Sequence, residues 1–253
     1  IGAGIYAILG IATKYGKQYT WIAILISGLF SICTGLSFSE LSTIYNKNGT
    51  EYYIAKDVFN NQVATIISFI TILAQVLTQS VVASGMSSHL LKIIPMNENI
   101  LSSFLIILYG FINYNGIRNT ANYNNVATIL EISGLVAISL GGLNFIDSSV
   151  FDLTNFNFGD LMPIILSSSV INFAYFGYDM ALGLTEETIN PEKNIPLGMI
   201  YGIIIAIIVY LTTTISGLSS LGWNKLSQSN TPIMDIAKVM FGKKGMSIIF
   251  IIF

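Results

Sequence analysis

Residues 172–200, NFAYFGYDMALGLTEETINPEKNIPLGMI, gather more chemistry than any other stretch of this chain. Gly177 interrupts an apolar run that is long enough for a membrane helix. Asp179 follows two residues later, and a polar stretch comes next in which Pro191 and Pro196 are expected to stop one helix and restart the next. Glycine lets a helix unwind and lets a ligand approach the backbone. A carboxylate at the centre of a bilayer costs about 2.5–3.5 kcal/mol on insertion scales. Backbone breaks and charges at that depth are tolerated only where protein or a water-filled cavity surrounds them. The segment is expected to form a polar site inside a bundle of helices. The plainer alternative for Asp179 is a structural acid bonded to a neighbouring helix. On an unbroken helix Asn172, Tyr175, Asp179, Gly183 and Glu186 would share one face, with Phe173, Tyr175, Phe176 and Tyr178 as aromatic walls.

The first ten residues, IGAGIYAILG, repeat the glycine logic with Gly2, Gly4 and Gly10. An unwound turn there frees amide N–H groups at the positive end of a helix dipole, a setting that favours a carboxylate. Close packing through small residues explains the same glycines without a ligand, and both readings stand. Two further acids fall inside apolar spans. Glu131 is deep in its span and is a functional candidate by default; Glu40 is late in its span and reads as structural. Gln75 and Gln79 lie one turn apart, as interhelical hydrogen-bonding groups or as pocket lining. Glu186, Glu187 and Lys193 form either an ion-paired loop or a solvated one.

These residues need elements to hold them, and composition says which. Of the 253 residues 53% are hydrophobic, and mean hydropathy is +0.70. Only 9% are charged, against about 25% in soluble domains. Apolar stretches at 20–45, 62–90, 99–115, 122–144, 161–184 and 197–221, with a partial span at the two ends, suit a bilayer core that needs about 20 helical residues. The connections are short and polar, and NKNGTEYYIAKDVFNN at 46–61 is expected to hold a short amphipathic helix lying on a membrane surface. The net charge of −2, with no basic cluster, gives nucleic acid nothing to bind. The single cysteine, Cys33, excludes an internal disulfide and a cysteine metal site; it reads as a small buried hydrophobe. The lone His89 has no visible partner cluster. No nucleophile–base set, phosphate loop or metal spacing appears, so no enzyme is expected and no cofactor is implied. GIYAILG at 4–10 and GYDMALG at 177–183 echo one another, as helices interrupted at matching places do in transporters built from inverted repeats.

Four stretches carry a family resemblance. IGAGIYAILG, FSELSTIYNKNGTEYY, NYNGIRNTANYNNVATIL and FAYFGYDMALGLTEETINPEKNIPLGMI resemble the first helix, the second-helix exit, the fourth-to-fifth connection and the broken sixth helix of the amino acid/polyamine/organocation superfamily. Within it the chain is similar to the cationic amino acid transporter branch. The resemblance implies an all-α, polytopic membrane bundle with a LeuT-like five-plus-five inverted repeat. It also implies a single transport domain over 1–253, with the first repeat about 1–144 and the second beginning about 161. Both ends then read as cut, with the start of helix 1 and most of helix 8 onward missing. Carried over, the carboxylate of an amino acid meets the backbone of Gly2, Ala3, Gly4 and Ile5. Its amino group meets carbonyls around Phe173, Ala174 and Phe176 beside Gly177, with Phe173 as an aromatic gate. Glu131, Asp179 and Gln79 are the coupling or gating candidates, for a proton or another cation.

The departures from the pattern are specific. Glu131 stands where many relatives carry a lysine, which reverses the charge at a coupling position. Asn46 replaces the usual proline and Thr50 the second of paired glycines. The function these features imply is secondary transport of amino acids by alternating access, at the plasma membrane or an intracellular one. A receptor-like protein that binds an amino acid without moving it is the alternative. The family topology puts four basic residues (Lys47, Lys56, Arg118, Lys193) in the cytoplasm and the other seven outside, against the positive-inside rule. It also makes the sequon Asn48-Gly49-Thr50 cytoplasmic and unmodified. Partners are the amino acid and membrane lipid, with room for an accessory subunit.

Overall fold

The computed structural model describes residues 4–45, 49–91, 95–114 and 117–252. Among them the chain is helical throughout. In order come α1 (Gly4–Gly16), α2 (Thr20–Ile44), α3 (Thr50–Val58), α4 (Asn61–Leu90), α5 (Glu98–Tyr114), α6 (Ile117–Gly142), α7 (Leu161–Tyr175), α8 (Pro191–Leu221), α9 (Trp223–Gln228) and α10 (Pro232–Ile252). A 3₁₀ segment, Asp179–Glu187, lies between α7 and α8. Five segments are long and apolar enough to cross a membrane: Gly4–Ile44, Asn61–Ser88, Ala121–Phe145, Phe158–Glu187 and Pro191–Leu221. The first holds both α1 and α2, joined through a 3₁₀ turn at Lys17–Tyr19. α5, with 17 residues, is about 25 Å long at 1.5 Å per residue, just under the ~30 Å hydrocarbon thickness. The chain is a polytopic helical membrane protein.

α1 runs through the middle of the bundle, with Ile5, Tyr6, Ile8, Leu9, Ala12 and Thr13 all buried. It packs on α7 and α9. Gly10 faces α9 at Leu226 and Ser229, while Gly4 and Gly16 face α7, where the Ser167 hydroxyl donates to the Ala12 carbonyl at 2.8 Å. α2 offers a stripe of small residues, Ser27, Gly28, Ser31, Gly35 and Ser39, to α8 and α7. A Cβ at Gly28 would stand 2.6 Å from Ile207 Cγ1, and one at Gly35 would stand 2.4 Å from Ile203 Cδ1. Lipid is as apolar as leucine, so membrane helices associate through close backbone approach and interhelical hydrogen bonds rather than apolar burial. The seam between α6 and α8 works the same way: the Ser139 and Thr212 hydroxyls meet at 2.9 Å. At the α4–α5 seam Glu98 accepts from Ser84 at 2.9 Å and from Ser88 at 3.2 Å. Large apolar side chains on α4, such as Phe69, Ile70 and Leu77, are exposed, a surface that needs lipid or further protein to cover it.

Three expectations are corrected in detail. Pro196 does not stop a helix: Pro191 stands in the first turn of α8, where a missing N–H is harmless, and Pro196 lies inside the helix that follows. Cys33 is exposed on α2, because the buried face of that helix is the serine–glycine stripe. The echoing stretches 4–10 and 177–183 take different conformations, α-helix in the first and a turn with 3₁₀ helix in the second. Asn46, Asn48 and the His89 side chain lie outside the described residues.

Candidate functional site

α7 ends where the sequence places its break. The last helical residue is Tyr175, and Phe176 turns to extended backbone with ψ 149°. Gly177 has φ +114°, a conformation that side chains with a Cβ rarely adopt. The Asp179 carboxylate accepts the Gly177 N–H at 3.1 Å, closing the turn before the chain re-enters as the 3₁₀ segment. The break lies within the candidate span Phe158–Glu187. It divides the face expected for an unbroken helix. Tyr175 is buried against Tyr210, with ring centroids 5.2 Å apart, whereas Asp179 points to a cavity on the far side of the turn.

The start of α1 meets α7 immediately before this break. A Cβ added at Gly4 would stand 2.8 Å from Ala174 Cα, so only glycine allows the two backbones this approach. The described part of α1 runs from Gly4, so the crossing with α7 falls on its first described residues. The Ile5 side chain is fully buried. Gly2 and Ala3 lie outside the described residues. On the other partner, the Ala174 carbonyl accepts from the Tyr210 hydroxyl at 3.1 Å, and the Phe173 carbonyl accepts the Phe176 N–H at 3.4 Å. Phe173 and Phe176 meet edge to face at 6.4 Å. Phe173 rests on the core and Phe176 is exposed.

The remaining candidates disperse. Glu131 is half-buried on α6, and its backbone carbonyl accepts from the Tyr6 hydroxyl at 3.2 Å, which ties α6 to α1 two residues beyond Gly4. Gln79 is exposed on α4, and Glu40 is exposed on α2. Gln75 joins Asp179 in a cavity of about 410 Å³ between α3, α4 and the 3₁₀ segment, lined also by Glu51, Tyr52, Ser68 and Thr71. The Glu51 carboxyl is held above the ordinary carboxylate range, first by burial, then by the negative charge of Asp179, with the Thr71 hydroxyl opposing. Among the described residues no group of histidine, cysteine and acids could hold a metal.

Two of these residues escaped the sequence reading. Tyr210 left a signal, a hydroxyl in the run YGIIIAIIVYL that needs a partner once buried. Glu51 left none, because its neighbour Asp179 is distant in sequence.

The fold and the interrupted helix define a class: a multi-pass helical membrane protein whose backbone opens part-way along a span. Comparison with known proteins narrows the class. The family model described as amino acid permease matches residues 1–253, and the chain belongs to that family. It is 23% identical over 252 residues to a methylthioribose transporter of Bacillus subtilis (strain 168), covering 90% of this chain and 53% of the relative. It is 21% identical over 276 residues to the chloroplastic cationic amino acid transporter 9 of Arabidopsis thaliana, covering 100% and 47%. It is 24% identical over 264 residues to the large neutral amino acids transporter small subunit 2 of Oryctolagus cuniculus, covering 96% and 48%. The chain thus spans about half the length of the curated relatives it matches. Family and relatives bear the names of transporters and not of enzymes.

Proposed function

We propose that the protein containing this chain is a secondary transporter that carries an amino acid across a membrane by alternating access. The observation that carries the reading is the break at Tyr175–Asp179 set against the glycine-only crossing of Gly4 and Ala174. Backbone dipoles at the crossing are proposed to hold a zwitterion: amides of Gly2, Ala3, Gly4 and Ile5 toward the carboxylate, and carbonyls of Phe173, Ala174 and Phe176, each with a second lone pair to offer, toward the ammonium. Gly177 supplies the turn, and Phe173 with Phe176 gates it. The crossing joins the first helix of one repeat, about 1–144, to the first helix of a second repeat beginning about 161. Asp179, Glu131 and Gln79 are proposed to handle coupling or gating. The words "small subunit" in the name of the Oryctolagus cuniculus relative support looking for an accessory chain.

Counterflow in liposomes tests this. The full-length protein, preloaded with unlabelled amino acid, is expected to accumulate the labelled form saturably. Saturable binding without counterflow would favour the receptor-like alternative, and neither binding nor flux across the amino acids, polyamines and methylthioribose would refute both. A glycan on Asn48 in cells would invert the proposed orientation.

A further inference from the structure

The cavity between α3, α4 and the 3₁₀ segment is not part of the crossing, yet it touches the same broken helix. α3 packs along α4, with Thr50 and Ala55 buried beneath it and Val58 and Phe59 left exposed. Its first turn presents Glu51 to the cavity that Asp179 and Gly183 close from the other side. Asp179 also closes the Gly177 turn, so whatever moves this carboxylate pulls on the break itself.

The titratable groups lining the cavity are Glu51 and Tyr52 from α3 and Asp179 from the 3₁₀ segment; α4 contributes Ser68, Thr71, Ile72 and Gln75, which are uncharged. Among the described residues, the surrounding elements bring no base into it. On α3, Lys56 and Asp57 are exposed beyond it. The 3₁₀ segment rests on α2 and α8. From α2, Thr34 and Phe38 meet Tyr178, while Glu40 is exposed. From α8, Ile195 and Met199 pack on Leu182, and Glu192 and Lys193 precede them outside the lining. Glu186 and Glu187, at the end of the segment, also fall outside it. Two carboxyls thus face one cavity with no lysine, arginine or histidine among its described lining residues.

We propose that Glu51 and Asp179 form a proton-operated catch that fastens α3 to the broken helix. With one proton between them, one carboxyl donates to the other and the arm is held. With none, two like charges face each other across a partly enclosed space and the arm is released. No covalent step is involved; the proton comes from and returns to water at the open side of the cavity. The sign follows from the raised Glu51 carboxyl. A group whose affinity for protons rises on docking favours the docked arm at acid pH, below its ordinary titration range. It loses that contribution as pH climbs through the raised value. The catch deepens the transport reading, since it would govern one mouth of the broken helix, but its own test does not require flux.

The test is a distance measured against pH. Spin labels go on Lys56→Cys and Leu184→Cys, both exposed positions, in the full-length protein with Cys33→Ser, and pulsed dipolar spectroscopy reads their separation at about pH 4 and about pH 8. The expected result is a shorter distance at the acid value. Glu51→Gln donates a hydrogen bond at any pH, so it should hold the short distance at both values, and Asp179→Asn should do the same. A distance independent of pH in the parent protein would overturn the catch, as would an unchanged pH response in both variants or a distance that follows sodium at fixed pH. A switching distance in a protein without counterflow would sink the transport reading and leave the catch. Counterflow with a flat distance would do the reverse.

Discussion

Nothing lies within 4 Å of the place a Cβ would occupy on Gly177, so this residue is kept for its φ of +114° and not for space. Gly177→Ala is therefore expected to strain the turn by about 1–3 kcal/mol and to reduce counterflow. Gly183→Ala, equally open but without a positive φ, is the control and should change little. Asp179 has two duties that substitution separates. Asn keeps an oxygen for the Gly177 N–H but cannot ionise, so Asp179→Asn should transport with an altered pH profile. Leu offers no acceptor, so Asp179→Leu should lose the turn and the activity together; a flat comparison of the two would make Asp179 a packing residue. Tyr210→Phe removes the donor to the Ala174 carbonyl, an expected loss of about 0.5–1.5 kcal/mol visible as earlier thermal unfolding in detergent. At this scale Gly177 and Asp179 were legible because a glycine and an acid have so few reasons to stand in an apolar run. Glu51 and Tyr210 were not, since their roles come from partners that only tertiary packing brings near.

Helices in this bundle are positioned by what their glycines and serines allow. Gly4 is the sharpest case: a Cβ there would meet the backbone of Ala174, which cannot yield as a flexible side chain does. Gly4→Val should separate α1 from α7 and abolish substrate binding, whereas Gly198→Ala, in open space on α8, should leave binding intact. The α2–α8 seam is more forgiving, because a Cβ at Gly28 would meet the side chain of Ile207. Gly28→Ile is expected to cost about 1–3 kcal/mol through overpacking, measured as lost thermal stability without loss of affinity. The short helix within 46–61, found at Thr50–Val58, and the interruption of α7 were readable from local pattern, a polar segment carrying aromatics and a glycine before an acid. The shared helical face of Asn172, Tyr175 and Asp179 was not, because the periodicity argument presumes the continuous helix that Gly177 prevents. Pro196 misled for a related reason: so near the start of α8, it costs the helix little.

For the molecule as a whole, small-residue seams hold the helices together, and the proposed alternating access would rock one group against another across them. α1 and α7 share one core with α2 and α8, while the α4–α5 pair meets the rest over a smaller area and carries the exposed apolar side chains. The central claim concerns where these parts meet. The most direct measurement is an experimental density map of the full-length protein at saturating concentration of the amino acid that counterflow selects. The account predicts density between the first turn of α1 at Gly4–Ile5 and the opened backbone at Phe173–Gly177, with the carboxylate toward the amides. Density for the amino acid at another place, with Gly4 and Ala174 still in contact and the crossing empty, would contradict it.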